Sequence, residues 1–343
     1  MHYFQMVGFN GKKNLKLLMG DTSTGNLKEI DKRVLFKRHV EVINLELSYE
    51  CNRKCDYCPV SFSDRQNSQS YMKENLIEKV CKELSEIRYD NKISLNLYNE
   101  PLLDKKLADK ICTIRKYLPA AHIGFNSNGD FLRLPLLKDL SNSGLNHICV
   151  TLHPLPNVNQ DNTIIQRRLL KILKRLEYNF IDDELDISFI ELNNSFSCYV
   201  EGVRILIQWP DWRKDGTNRG GTLENNSAEV NKRVSPCARP FREFTIFYDG
   251  NVQPCCESFH DNKFNLENVG NISDQNLFDL YTSKKLNQMR RSLYDFSEKT
   301  GICSECTVRD FSSYSEDKSR KELLAEIKDF SIPEKIDCQT KFD

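Results

Sequence analysis

EVINLELSY, residues 41–49, runs without a break into ECNRKCDYC, residues 50–58. The first part alternates apolar and polar side chains, the period of a half-buried strand. The second part places Cys51, Cys55 and Cys58 on one tight loop at the C-terminal end of that strand. A four-iron cluster has four corners to ligate. Three thiolates therefore leave one iron open, as a catalytic zinc keeps one open position. A zinc knuckle or a chance spacing is the plainer alternative.

Beyond this loop, strand and helix patterns alternate. Residues 73–88 carry Ile77, Val80, Cys81, Leu84 and Ile87 on one helical face, and ISLNLY (93–98) alternates again. Helix 105–118, strand 121–125, helix 131–142 and strand 146–152 follow. Helix 163–178 is expected next, with Asn162 as its cap. LDISFIEL (185–192) and VRILIQW (203–209) read as strands five and six, with a helix between them. Six strand–helix units imply a parallel sheet with helices outside. The strands lead into Cys51, into Asn99-Glu100-Pro101, into Asn126-Ser127-Asn128-Gly129 and into His153-Pro154. In β/α barrels the C-terminal strand ends carry the chemistry.

The flanks differ from this middle. Residues 1–40 read as an appendage, with a hairpin turn at Asn10-Gly11 and then a charged connector, LKEIDKRVLFKRH. Residues 213–235 read as a polar linker. Residues 236–311 form a small second unit with a hairpin turning at Asp249-Gly250 and two short helices, about 274–281 and 283–294. A surface helix over 318–329 and a tail end the chain. Cys237, Cys255, Cys303 and Cys306 give this second unit four thiolates, a closed site for structural zinc or for an iron–sulfur cluster.

The bulk properties restrict the function. Lys plus Arg and Asp plus Glu both number 49, so no basic excess argues for nucleic acid or an anionic membrane. A mean hydropathy of −0.56 is that of a soluble chain. No apolar run is long enough to span a bilayer. MHYFQMVGFNGKKN lacks the pattern of a signal peptide. A cytoplasmic protein is expected, in which the 13 cysteines are no disulfide framework and their spacing points to metal at some of them.

CNRKCDYC resembles the signature of the radical S-adenosylmethionine (SAM) family. The resemblance implies a partial (β/α)6 barrel of TIM type over residues 41–212, with a [4Fe-4S] cluster on Cys51, Cys55 and Cys58. The open iron would bind SAM, and one electron would release a 5′-deoxyadenosyl radical that takes a hydrogen atom from substrate. Tyr57 is similar to the family residue beside the adenine. YNEP (98–101) is similar to the GGEP motif that holds the SAM amino group, with Tyr98 and Asn99 in place of two glycines. Asn99, Glu100, Asn128 and His153 are the expected cofactor contacts. Residues 236–311 resemble the twitch domain, the shortened form of the SPASM extension. That implies a small α+β domain and an auxiliary [4Fe-4S] cluster on Cys237, Cys255, Cys303 and Cys306.

NEPLL (99–103), SNGDFL (127–132), VTLH (150–153), TNRGGTLEN (217–225), DGNVQPC (249–255) and VGNI (269–272) resemble the branch of the family that dehydrogenates aminocyclitols. That branch would oxidise a secondary alcohol of a small sugar or cyclitol and pass an electron to the auxiliary cluster. An external reductant such as flavodoxin or ferredoxin would supply the first electron. Arg219 would sit near the substrate oxygen and stabilise developing alkoxide charge. An alternative is peptide maturation, by epimerisation or crosslinking, with Cys256 as hydrogen-atom donor. A non-catalytic, zinc-stabilised barrel is a third reading. Substrate identity and oligomeric state are not legible in the sequence.

Overall fold

In a computed structural model the described residues are 17–19, 27–65, 69–154, 161–179, 185–223, 232–259, 268–294 and 297–308. The turn at Asn10-Gly11 and the helix expected over 318–329 lie outside them. One nine-stranded sheet organises the chain, in the order β5-β6-β4-β3-β2-β1-β7-β8-β9. Its strands are β1 (Val42–Leu45), β2 (Lys92–Ser94), β3 (His122–Ser127), β4 (His147–Thr151), β5 (Ser195–Val200), β6 (Val203–Gln208), β7 (Glu243–Ile246), β8 (Asn251–Gln253) and β9 (Gly270–Asn271). The six central strands, from β6 through β4, β3, β2 and β1 to β7, all pair in parallel. This is the parallel sheet of a partial barrel, with a C-terminal hairpin continuing it.

Helices cover the outer face: α1 (Glu29–His39), α2 (Glu74–Glu86), α3 (Leu107–Tyr117), α4 (Leu134–Asn142) and α5 (Asn162–Arg175). The five apolar side chains expected on the face of α2 are all buried. Strand alternation explains both the core and the site. Ile43, Ile93, Ile123, Phe125, Ile148, Val150, Ile205 and Ile207 are buried on one face. The intervening residues Asn44, Ser94, Asn126, Thr151 and Gln208 point the other way and line a pocket. A period of two thus separates core from cavity.

The architecture corrects the sequence reading at four places. LDISFIEL is not strand five: Asp186 caps helix α6 (Ile187–Leu192), its carboxylate accepting from the Phe189 amide at 2.8 Å. Strand β5 follows instead and pairs antiparallel with β6. No helix separates them, only a two-residue turn at Glu201-Gly202 with φ of 52° and 76°, the left-handed pair of a tight hairpin. The sixth parallel strand is β7, beside β1. Asp161, not Asn162, caps α5, accepting from the Ile164 amide at 2.8 Å.

The charged connector is helix α1. Its buried Val34, Leu35 and Phe36 are consecutive, so no helical period showed in the sequence. Phe36 meets Tyr89, Phe244, Phe278 and Tyr281 edge-on. It thereby joins barrel strand β7 to helix α7 (Leu277–Tyr281).

Candidate active site

A pocket opens at the C-terminal ends of the parallel strands. Cys51, Cys55, Cys58, Tyr57, Asn99, Glu100, Asn128, His153, Arg219 and Cys256 all line it. These are ten of the fourteen residues singled out from the sequence. The other four, Cys237, Cys255, Cys303 and Cys306, are not among the lining residues.

The cysteine loop is fixed from several sides. Beneath it lies a fully buried ion pair, in which Arg65 donates to Glu46 at 2.7 Å. The Arg65 guanidinium lies over the Tyr49 ring at 4.3 Å, and its backbone carbonyl accepts from the Cys51 amide at 3.3 Å. At the rim, Arg53 grips both oxygens of Asp130, at 2.8 and 2.5 Å. Asn52 bridges the same two loops, donating to Asp130 at 2.9 Å and accepting from Asn128 at 2.8 Å. Sequence reading missed Asn52, Arg53 and Asp130, although all three lie inside the stretches CNRKC and SNGDFL.

Burial raises the thiol pKa values, that of Cys51 to about 12, with Cys55 and Cys58 also raised. The iron-free loop therefore holds neutral thiols, and metal binding must release protons. No described cysteine forms a disulfide. Among the described residues, no three His, Cys, Asp or Glu side chains gather as ligands of one ion would. Three free thiols on one loop lining one pocket fit a four-iron cluster with an open corner.

The loop after β2 carries Glu100, whose carboxylate ties the site together. It accepts from the Asn128 amide at 2.7 Å, Ser127 Oγ at 2.8 Å and the Leu102 amide at 3.1 Å. Burial raises its pKa to about 6 against the lowering effect of these donors. Asn99 is held by Ser48 Oγ at 2.9 Å. Tyr98, in the place of a family glycine, is buried and donates its hydroxyl to the Cys256 carbonyl at 3.1 Å. Across the pocket, Tyr57 and His153 stack with ring centroids 5.9 Å apart and share a hydrogen bond of 2.7 Å. Burial first, then Arg53 and Arg168, lower the His153 pKa to about 3, so its imidazole is neutral.

The remaining wall comes from Trp212, Arg219 and Cys256, the last of which belongs to the C-terminal unit. Cys237 and Cys255 are buried, while Cys303 and Cys306 are half-buried. Burial raises the Cys255 pKa well above its ordinary value, and Cys256, Glu243, Cys237 and Cys303 add to the effect. Arg219 reaches into the pocket from a backbone held at φ 50°. Its Nη1 donates to Glu257 at 3.2 Å, and its buried Nε has no hydrogen-bond partner among the described residues. Arg239 donates to Cys256 Sγ at 2.9 Å. Arg239 and Glu257 carried no pattern that would have marked them in the sequence.

Comparison with known proteins agrees with this geometry. Residues 45–180 match the family model of the radical SAM superfamily, and residues 237–307 match SPASM, an iron–sulfur cluster-binding domain. The S-adenosyl-L-methionine-dependent 2-deoxy-scyllo-inosamine dehydrogenase of Niallia circulans is 26% identical over 77% of this chain and 92% of its own length. The tungsten-containing aldehyde ferredoxin oxidoreductase cofactor-modifying protein of Pyrococcus furiosus is 19% identical over 79% of this chain and 88% of its own. Among solved structures, BtrN in complex with AdoMet and 2-DOIA superposes with a TM-score of 0.58 at 24% identity, covering 81% of this chain and 96% of that one. Among the described residues no helix is long and apolar enough to cross a membrane. The chain belongs to the radical SAM superfamily and carries a C-terminal SPASM-type iron–sulfur domain.

Proposed function

We propose that the protein oxidises a secondary alcohol of a small sugar or cyclitol. One observation carries this reading: a single pocket is lined both by the cysteine loop and by the Arg219 side chain. When bound, the first cluster and SAM supply a radical that removes hydrogen from the carbinol carbon, and an auxiliary cluster takes the electron left behind. The alcohol would then lose two electrons and two hydrogens in all: one hydrogen atom to the deoxyadenosyl group, one electron to the auxiliary cluster and the hydroxyl proton to a base. Cys51, Cys55 and Cys58 would hold the first cluster, and Cys237, Cys255, Cys303 and Cys306 would hold the second. Glu100, Asn99, Asn128, Tyr57 and His153 form the SAM cradle.

The chain's own groups govern the oxygen. The Arg219 guanidinium, on the pocket wall, offers a fixed cation to the carbinol oxygen and stabilises the charge that develops there. A donor already in place needs no reorganisation at the moment of reaction. Asn44, Ser94, Asn126, Thr151 and Gln208 offer neutral hydrogen-bonding groups to the other hydroxyls. An external reductant of flavodoxin or ferredoxin type delivers the first electron.

A second reading, redox-neutral peptide modification, is favoured by one observation. The Cys256 thiol also lines the pocket, where it is placed to return a hydrogen atom. The test is anaerobic turnover of reconstituted protein with SAM, dithionite and a panel of sugars, cyclitols and peptides. One ketone per 5′-deoxyadenosine supports alcohol oxidation. Deuterium taken from heavy water into a peptide, with no ketone from any alcohol, would overturn it in favour of epimerisation.

A further inference from the structure

We propose that Glu257 is a positioning residue that joins the substrate pocket to the second cysteine group, holding Arg219 and Arg239 as one charge unit around its buried carboxylate. The inference rests on the reading above, in which Arg219 faces substrate and Cys255 ligates the auxiliary cluster.

Glu257 is only 5% exposed, and each of its oxygens has a cationic partner. Oε2 accepts from Arg219 Nη1 at 3.2 Å and from Thr217 Oγ1 at 2.5 Å. Oε1 lies 3.4 Å from Arg239 Nη1. Arg239 in turn donates to Cys256 Sγ at 2.9 Å and lies 3.5 Å from Glu243 Oε1. Glu243 accepts from the Cys256 amide at 3.3 Å through its other oxygen. Glu257 itself stands two residues after Cys255, on a turn closed by the Ser258 amide and the Cys255 carbonyl at 3.3 Å. The carboxylate that orients the pocket arginine is therefore carried by the backbone of the second cysteine group.

Arg219 is also held from behind. Its left-handed backbone is costly for a side chain of this size. The preceding Asn218 pays for it by bonding the segment that follows Cys303: its amide group donates to the Glu305 carbonyl at 2.6 Å, and its backbone amide to Thr307 Oγ1 at 2.9 Å. Main chain and side chain of Arg219 are thus both referenced to the C-terminal unit. Two guanidiniums share one carboxylate, so Glu257 sets both the direction of the donor at the substrate and the field at the second cysteine group.

Glu257→Gln tests this. Removing the negative charge should raise the reduction potential of the auxiliary cluster, read by EPR-monitored titration. The yield of ketone per 5′-deoxyadenosine should fall on the order of tenfold, the scale of one charge-assisted hydrogen bond lost at a reacting group. Glu257→Asp, which keeps the charge, should restore the potential. A merely structural role would lower iron content or melting temperature and leave the potential of retained clusters unmoved. If the Gln variant does not keep both clusters, Thr217→Val decides: it removes one donor to Glu257 and should lower the yield in the same direction. An unchanged potential and yield in a variant with both clusters would overturn the inference. Wild-type protein with no second cluster would instead overturn the functional reading beneath it.

Discussion

Replacing Arg65 by Met should be among the most damaging single changes in the barrel. Arg65 and Glu46 are both 0% exposed, and the guanidinium meets the carboxylate through two nitrogens, at 2.7 and 3.4 Å. Methionine fills much of the volume but leaves the Glu46 carboxylate buried, with the Tyr98 amide at 3.0 Å still donating to it. Breaking a buried pair from one side costs about 3–5 kcal/mol. Packing of the guanidinium against Tyr49 at 4.3 Å and Phe259 at 5.3 Å is lost as well. At about 2 °C per kcal/mol for a chain of this length, the melting temperature should fall by about 6–10 °C. The assay is thermal unfolding of iron-free protein, with Glu46→Gln and the double variant completing a cycle. The double variant should be less damaged than the sum of the two single ones, because neither partner is then left charged and alone. A loss below about 1 kcal/mol, the value of an exposed pair, would refute the reasoning. Iron content should fall with stability, because the lost guanidinium also donates to the Tyr49 carbonyl at 3.3 Å, two residues before Cys51.

Two further outcomes follow from buried groups. Burial first, then nearby cations, lower the His39 pKa to about 3, and burial lowers that of His147 to about 4. Both are neutral when folded and protonate near 6.5 when unfolded, so their stabilisation is complete above that pH and is lost as pH falls. His39 should cost roughly 2 kcal/mol by pH 5 and the partly exposed His147 less, because solvent screens it; Glu100, whose raised pKa works the other way, offsets part of this. Melting of iron-free protein against pH measures this, and His39→Leu should flatten the slope below pH 6.5; an unchanged slope contradicts the assignment. Gly124→Ala should destabilise the barrel, because a Cβ there would stand 2.0 Å from the His147 ring. That ring stacks on His122 at 4.7 Å, and a melting temperature equal to wild type would show that the ring moves aside freely.

Much of the fold was legible because local patterns agreed with tertiary demands. The apolar faces of α2 and α3 and the strand before Cys51 follow directly from periodicity. Errors arose where a pattern had two solutions. LDISFIEL alternates like a strand, but the Asp186 cap makes it a helix. Helix α1 shows no period because it buries adjacent residues in an aromatic cluster formed by distant segments. The site divides in the same way. Its thiols, Glu100 and His153 stand in recognisable spacings, as does Arg219 in its glycine turn. Glu46, Arg65 and Glu257 are single charged residues whose ion-pair partners lie outside any local motif. Nothing short of three-dimensional placement distinguishes them from surface charges.

The most direct test of the central claim is iron and sulfide content, with an EPR spectrum, of protein reconstituted without oxygen. The account expects about eight irons per chain, as two four-iron clusters require. SAM should perturb one signal, and that signal should vanish when Cys51, Cys55 and Cys58 are replaced by alanine. Retention of SAM cleavage in the triple-alanine variant, or a spectrum that SAM leaves unchanged, would contradict it.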